Sequence, residues 1–263
     1  MRNDKTYDMG TGLKRLVKSI LLLCLLTFLP LPGMAITKGN ADAEYSKGNY
    51  VQAIKDYEEL LRKNKTADVY YNLGNAYYRT DNIVQAVLAY ERALMLSPGD
   101  EDIRFNLQMA RSKTIDKITP ESEMFFVSWW RSLVSLMSAD GWAYFSIVFI
   151  SLALLLLLAY LFSGQILVRK IGFFGGLILI VLFLLSNVFA YQQKNLFENR
   201  KGAIVIAPSL TIKKTPSKTS SDVSVIHEGT RVDITDDTMR DWKAVRLADG
   251  REGWVQTSEI EKI

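Results

Sequence analysis

The spacing of apolar residues changes character several times along this 263-residue chain, and each change predicts a different element. Through residues 36–118 the period is helical. Tyr70, Leu73 and Tyr77, then Tyr90 and Leu94, recur three or four positions apart, with the small residues Gly74 and Ala86 among them. This predicts two helices that cross closely at Gly74 and Ala86, with the large side chains packed around the crossing. A weaker copy lies 33 residues earlier: Gly48-Asn49-Tyr50, Ala53-Ile54 and Tyr57 align with Asp81-Asn82-Ile83, Ala86-Val87 and Tyr90. Its first helix departs from the pattern, because Asn40 and Glu44 stand where large apolar residues are usual. Beyond Pro98, Asp100 is placed to cap a further helix bearing Ile103, Leu107 and Ala110.

Residues 119–140 predict an amphipathic helix opened by Thr119-Pro120-Glu121. Phe125, Phe126, Trp129, Trp130, Leu133, Val134 and Met137 share one face, while Ser128, Arg131, Ser132 and Ser135 hold much of the other. Such a face suits a membrane interface, or docking on the helical stack that precedes it. In 141–193, no charge occurs from Gly141 to Val168 or from Ile171 to Gln193. Each run reaches the ~20 residues a spanning helix needs. The spans are expected near Trp142–Phe162 and Ile171–Tyr191, with Arg169 and Lys170 in the short loop between them. By the positive-inside rule that loop is cytoplasmic, which leaves both flanking domains outside.

From Ala203 the period shortens to that of strands. Ala203–Ile206, Leu210–Lys213, Arg231–Ile234, Trp242–Leu247 and Glu252–Gln256 are the candidates, and Asp249-Gly250 marks a tight turn between the last two. The fold class expected is therefore multidomain: all-α helical hairpins, two transmembrane helices and a small all-β barrel in 200–263.

Residues 67–98 resemble a complete tetratricopeptide repeat (TPR): Tyr70, Leu73-Gly74, Tyr77, Ala86, Tyr90, Ala93 and Pro98 reproduce its small and large positions. The resemblance implies a protein-binding stack of about two and a half units, short of the three or so that bury a shared core alone. A partner, the membrane or a neighbouring helix would have to help. It also implies a concave face presenting Tyr71, Asn75, Tyr78 and Arg79 for protein binding. Phe105 and Met109 stand on the closing helix, either in that groove or packed on the next one. Ala203, Val205, Leu210-Thr211-Ile212, Gly229-Thr230-Arg231-Val232, Trp242, Val245 and Gly253-Trp254-Val255 resemble a bacterial SH3 domain, whose relatives bind peptides or cell-wall material. Trp242 and Trp254 either line a groove or fill the barrel core.

Charge and composition narrow the function. Residues 36–118 carry twelve basic against twelve acidic residues, and 200–263 eleven against ten. Three units of the net charge of +4 thus lie in residues 1–35, and no basic face recommends a nucleic-acid partner. Lys14, Arg15 and Lys18, the apolar run Ile20–Leu29 and Gly33-Met34-Ala35 read as a secretory signal over 1–35, cleaved after Ala35 or kept as an anchor. Cys24, the one cysteine, lies inside that run. The single histidine, His227, reads as a surface residue beside Gly229. One histidine cannot supply a His/Cys zinc set, and no nucleophile set or phosphate loop is visible. The expectation is no enzyme, no catalytic residue and no cofactor.

The module order, together with Tyr70–Asn75, Tyr90–Pro98 and Trp129-Trp130-Arg131-Ser132-Leu133, resembles the BatE family, the TPR membrane proteins of the Bacteroides aerotolerance operon. That resemblance implies an inner-membrane protein with its TPR and SH3-like domains in the periplasm. Its partners would be von Willebrand A-domain membrane proteins, and its role envelope or stress fitness. A cell-wall anchor holding peptidoglycan through the SH3-like domain is the alternative.

Overall fold

A computed structural model describes residues 38–199 and 201–263, so the signal expected over 1–35 lies outside the described residues. Five helices come first: α1 (Gly39–Ser46), α2 (Tyr50–Lys63), α3 (Ala67–Arg79), α4 (Ile83–Leu96) and α5 (Glu101–Arg111). They stack as two antiparallel hairpins and a closing helix. Thr66 caps α3 by accepting from the Val69 amide, Asn82 caps α4 at Gln85, and Asp100 caps α5 at Asp102 and Ile103. The two hairpin turns correspond: Gly48 at φ +83° is matched 33 positions on by Asp81 at φ 60°. At the second crossing, a Cβ on Gly74 would come within 2.6 Å of the Tyr90 ring.

Helix α4 departs from the expected pattern. Six consecutive residues, Ala86 to Glu91, are buried. At 3.6 residues per turn this covers every side of the helix, so α4 is sandwiched between two partners. One is the rest of the stack. The other is the C-terminal sheet.

That sheet has seven strands, all paired antiparallel: β1 (Gly202–Val205), β2 (Ser209–Lys213), β3 (Asp222–His227), β4 (Arg231–Asp236), β5 (Trp242–Arg246), β6 (Glu252–Gln256) and β7 (Ile260–Lys262). The order β3-β2-β6-β5-β4-β1-β7 leaves β3 and β7 at its ends, so it does not close into the expected barrel. Five of these strands were foreseen; β3 and β7 were not. Leu210, Ile212, Val245 and Val255 lie at the centre of its core, and Gly250 at φ +84° makes the β5–β6 turn.

Between α5 and the two long apolar helices that follow, α6 (Phe125–Val134) is shorter than expected, and Thr119-Pro120-Glu121 does not start it. The Glu121 amide instead donates to the Ala248 carbonyl, and Ile118 packs on the sheet core. This bond and this contact hold the segment against the sheet in place of a helix. Helices α7 (Ala139–Phe162) and α8 (Ile166–Glu198) form a hairpin, each long and apolar enough to cross a membrane. Gly172 lets their backbones meet, since a Cβ there would lie 2.7 Å from the Leu156 carbonyl oxygen. The loop is residues 163–165. Arg169 and Lys170, expected in it, stand on the first turns of α8, where the Arg169 guanidinium lies over the Tyr160 ring, 5.4 Å from its centre. With no glycine or proline between Ile166 and Ile171, nothing stops the helix from starting early.

Candidate functional site

The expected binding residues lie on α3, the first helix of the clear hairpin. Tyr71 and Asn75 are tied into the stack. Asn106 of α5 donates from Nδ2 to the Tyr71 Oη at 2.9 Å and to Asn75 Oδ1 at 3.0 Å, and the Tyr90 hydroxyl donates to the same Asn75 oxygen at 2.7 Å. Asn75 is therefore a hub joining α3, α4 and α5. Burial pushes the Tyr90 phenol well above its ordinary range, so it remains a donor. Tyr78 receives the Lys113 ammonium over its ring at 4.3 Å, and the Arg79 guanidinium lies 5.0 Å from the Tyr50 ring centre in the preceding hairpin.

Phe105 stands 34 residues after Tyr71, at the corresponding place on the next helix. Its side chain is 67% exposed, so it does not pack on a further helix; Met109 is half-buried. The altered first repeat also contributes. Asp42 accepts from the Tyr57 hydroxyl at 2.7 Å and from Asn72 Nδ2 at 3.1 Å, and these residues border a cleft of about 190 Å³ with Tyr45 and Ser46. The face is aromatic and polar rather than greasy, with Tyr45, Tyr71, Tyr78 and Phe105 set among amides and single charges.

The opposite side of the stack is covered. Val87 and Leu88 share a buried cluster with Ile204 and Ile263 of the sheet domain. Glu91, 2% exposed, pairs with Arg111 of α5 and with Arg231 of β4 at 3.0 Å. Arg92 pairs with Glu261 at 2.9 Å and donates to the Lys262 carbonyl at 2.7 Å, capping the β7 edge. Asp116 accepts from the His227 amide at 2.6 Å, the His227 ring at 3.0 Å and the Thr230 hydroxyl at 2.7 Å. Burial alone would raise the Asp116 carboxyl. The Thr230 hydroxyl and the His227 amide and ring together outweigh it and hold the carboxyl below the usual range. His227 thus ends β3 with a partner, not as a plain surface residue in a turn.

The tetratricopeptide-repeat family matches residues 39–101. The match spans both hairpins and stops at the first residue of α5. No curated protein matches the chain. TPR hairpins are a non-catalytic fold that binds other proteins, so the concave TPR face is the candidate interaction surface.

Trp242 and Trp254, expected in a groove or in the core, lie on neighbouring strands, Trp254 opposite Ala244. Both are half-buried and neither joins the core cluster; with Ala244 they occupy the sheet face opposite Val245 and Val255. A cleft of about 360 Å³ between the linker and the sheet is lined by Arg111, Lys117, Arg231 and Arg246. All four are engaged within the chain: the first and third by Glu91, Arg246 by Glu252, and Lys117 by three carbonyls.

The contact between α4 and the sheet, and the Glu91 cluster, escaped the sequence reading. One signal was present: Val87, Leu88 and Met95 make α4 apolar beyond the stripe that its own stack can bury. Direct contact between the TPR stack and the sheet also sets topology. The chain enters the α7–α8 hairpin from one and leaves it into the other, so both ends of the hairpin face the same side.

Proposed function

We propose that the protein is a membrane-anchored adaptor that performs no chemistry and docks a partner on its concave TPR face. One observation carries this reading: the sheet covers the convex side of α4, which leaves the concave side, with Phe105 exposed, as the face presented to a partner. The α7–α8 hairpin is the anchor, and the TPR stack and sheet together form a head on the periplasmic side of the inner membrane. The resemblance to the BatE family names the partners as von Willebrand A-domain membrane proteins, in a complex serving envelope or aerotolerance fitness.

Because Tyr71 and Asn75 bond within the stack, Arg79→Ala with Phe105→Ala is the cleaner test. Full-length protein crosslinked in native membranes should capture a von Willebrand A-domain protein, and the double variant should lose it while keeping its fold. Equal capture by a folded double variant would place the site elsewhere.

A second reading rests on the tryptophans. Trp242 and Trp254 lie half-buried on the outer sheet face, where they would suit a cell-wall ligand. Retention of the intact protein on purified peptidoglycan, lost in Trp242→Ala with Trp254→Ala, would favour an envelope anchor.

A further inference from the structure

We infer that the aromatic face of α6 is embedded in the interfacial layer of the lipid bilayer, on the side of the TPR stack and sheet, and so fixes the head against the membrane. The inference rests on the reading of α7 and α8 as spans. Phe125 and Trp129 are 82% and 61% exposed, with Met124 and Phe126 beside them, so among the described residues nothing covers this face. The opposite edge of α6 is bonded in place. The Val134 carbonyl accepts from Trp142 Nε1 at 2.9 Å and from Gln193 Nε2 at 2.8 Å, and Trp130 Nε1 donates to Gln192 Oε1 at 3.0 Å. The Trp130 and Trp142 rings both meet Phe189 edge-on, at 5.1 and 4.8 Å.

These bonds locate the helix. Gln192 and Gln193 close the uncharged run of α8, and Lys194 is the first charge after it. Helix α6 is therefore held where apolar surface gives way to polar, the depth that tryptophan and tyrosine favour in a bilayer. The same turns of the hairpin expose Tyr144, Val188 and Tyr191, so the rings extend a surface already suited to lipid. Lipid rather than a charged partner fits the face, because Arg131, the one cation on α6, is taken by Glu123 at 2.7 Å. The head is tied to this helix as well. A side chain on Gly99, in the α4–α5 turn, would run into the Leu136 carbonyl just beyond α6.

Nitroxide labels on Phe125→Cys and Leu177→Cys, each in the full chain with Cys24→Ser, would test this in phosphatidylethanolamine–phosphatidylglycerol vesicles. Leu177 is exposed in the middle of α8 and reports on the spans alone. At both sites, collision with dissolved oxygen should exceed collision with a water-soluble nickel chelate, and the label on Phe125→Cys should sit shallower. A label at 125 that favours nickel while the one at 177 favours oxygen overturns the inference and leaves the spans standing. Nickel preference at both overturns the spans and the inference together. Spin–spin broadening at 125 would mean that a second copy covers the face, and also overturns it. Trp129→Cys repeats the measurement one turn along.

Discussion

Replacing both arginines that hold Glu91 should cost far more stability than replacing Glu91 itself. The carboxylate is 2% exposed, whereas the Arg111 and Arg231 side chains are 43% and 46% exposed. In Arg111→Met with Arg231→Met, the carboxylate stays at the buried seam between α4 and the sheet with no countercharge. Breaking a buried pair in this way costs about 3–5 kcal/mol. In Glu91→Leu both arginines turn their half-exposed heads to water, and a side chain of similar size fills the seam. That change is expected to lie within about 1 kcal/mol of the parent. Hydrogen exchange on the full chain in detergent reads the difference directly at the β1 and β4 amides, which lie against α4. The double variant should lower their protection by the factor corresponding to ~3 kcal/mol or more, while Glu91→Leu leaves it close to the parent. Equal losses in both would refute the reasoning, because they would show that the triad contributes net attraction rather than avoiding a buried lone charge.

The remaining expectations are independent of that seam. Gly74→Ala places a Cβ against the Tyr90 ring and should destabilise the TPR hairpin by about 1–3 kcal/mol, read as a fall in its melting temperature; an unchanged value would mean that α3 and α4 can separate freely. The Asp116 carboxyl titrates below its ordinary 3.8, so its stabilising bonds to His227 and Thr230 are intact above that pH and are lost as pH falls through the lowered value. Exchange at His227 and Thr230 should therefore accelerate below about pH 4, and Asp116→Asn should flatten the response.

What could be read from the sequence follows how local each determinant is. Gly74, Ala86 and Tyr90 announce the second hairpin because their contacts are made within about twenty residues, a span that periodicity covers. Asp249-Gly250 announces the β5–β6 turn for the same reason. Strand β7 was missed because three residues carry no period. Strand β3 was missed because its Val223 and Val225 face outward at the edge, so its burial does not alternate cleanly. The start of α6 was misplaced because Thr119-Pro120-Glu121 has good helix chemistry locally but is held to the sheet by the Ala248 carbonyl, more than a hundred residues away. The candidate face divides in the same way. Repeat spacing proposes Tyr71, Asn75, Tyr78 and Arg79 as a binding face, but the bonding of Asn75 to Tyr90 and Asn106 was not legible. Nor was the cover over α4, since Glu91 and Arg231 stand 140 residues apart.

The most direct test of the adaptor reading is photo-crosslinking in native membranes, with benzoylphenylalanine placed at Phe105 in one full-length protein and at Trp242 in another. The account predicts adducts to a von Willebrand A-domain membrane protein from position 105 and none to that protein from 242. Adducts to cell-wall material from 242, with none from 105, would contradict it.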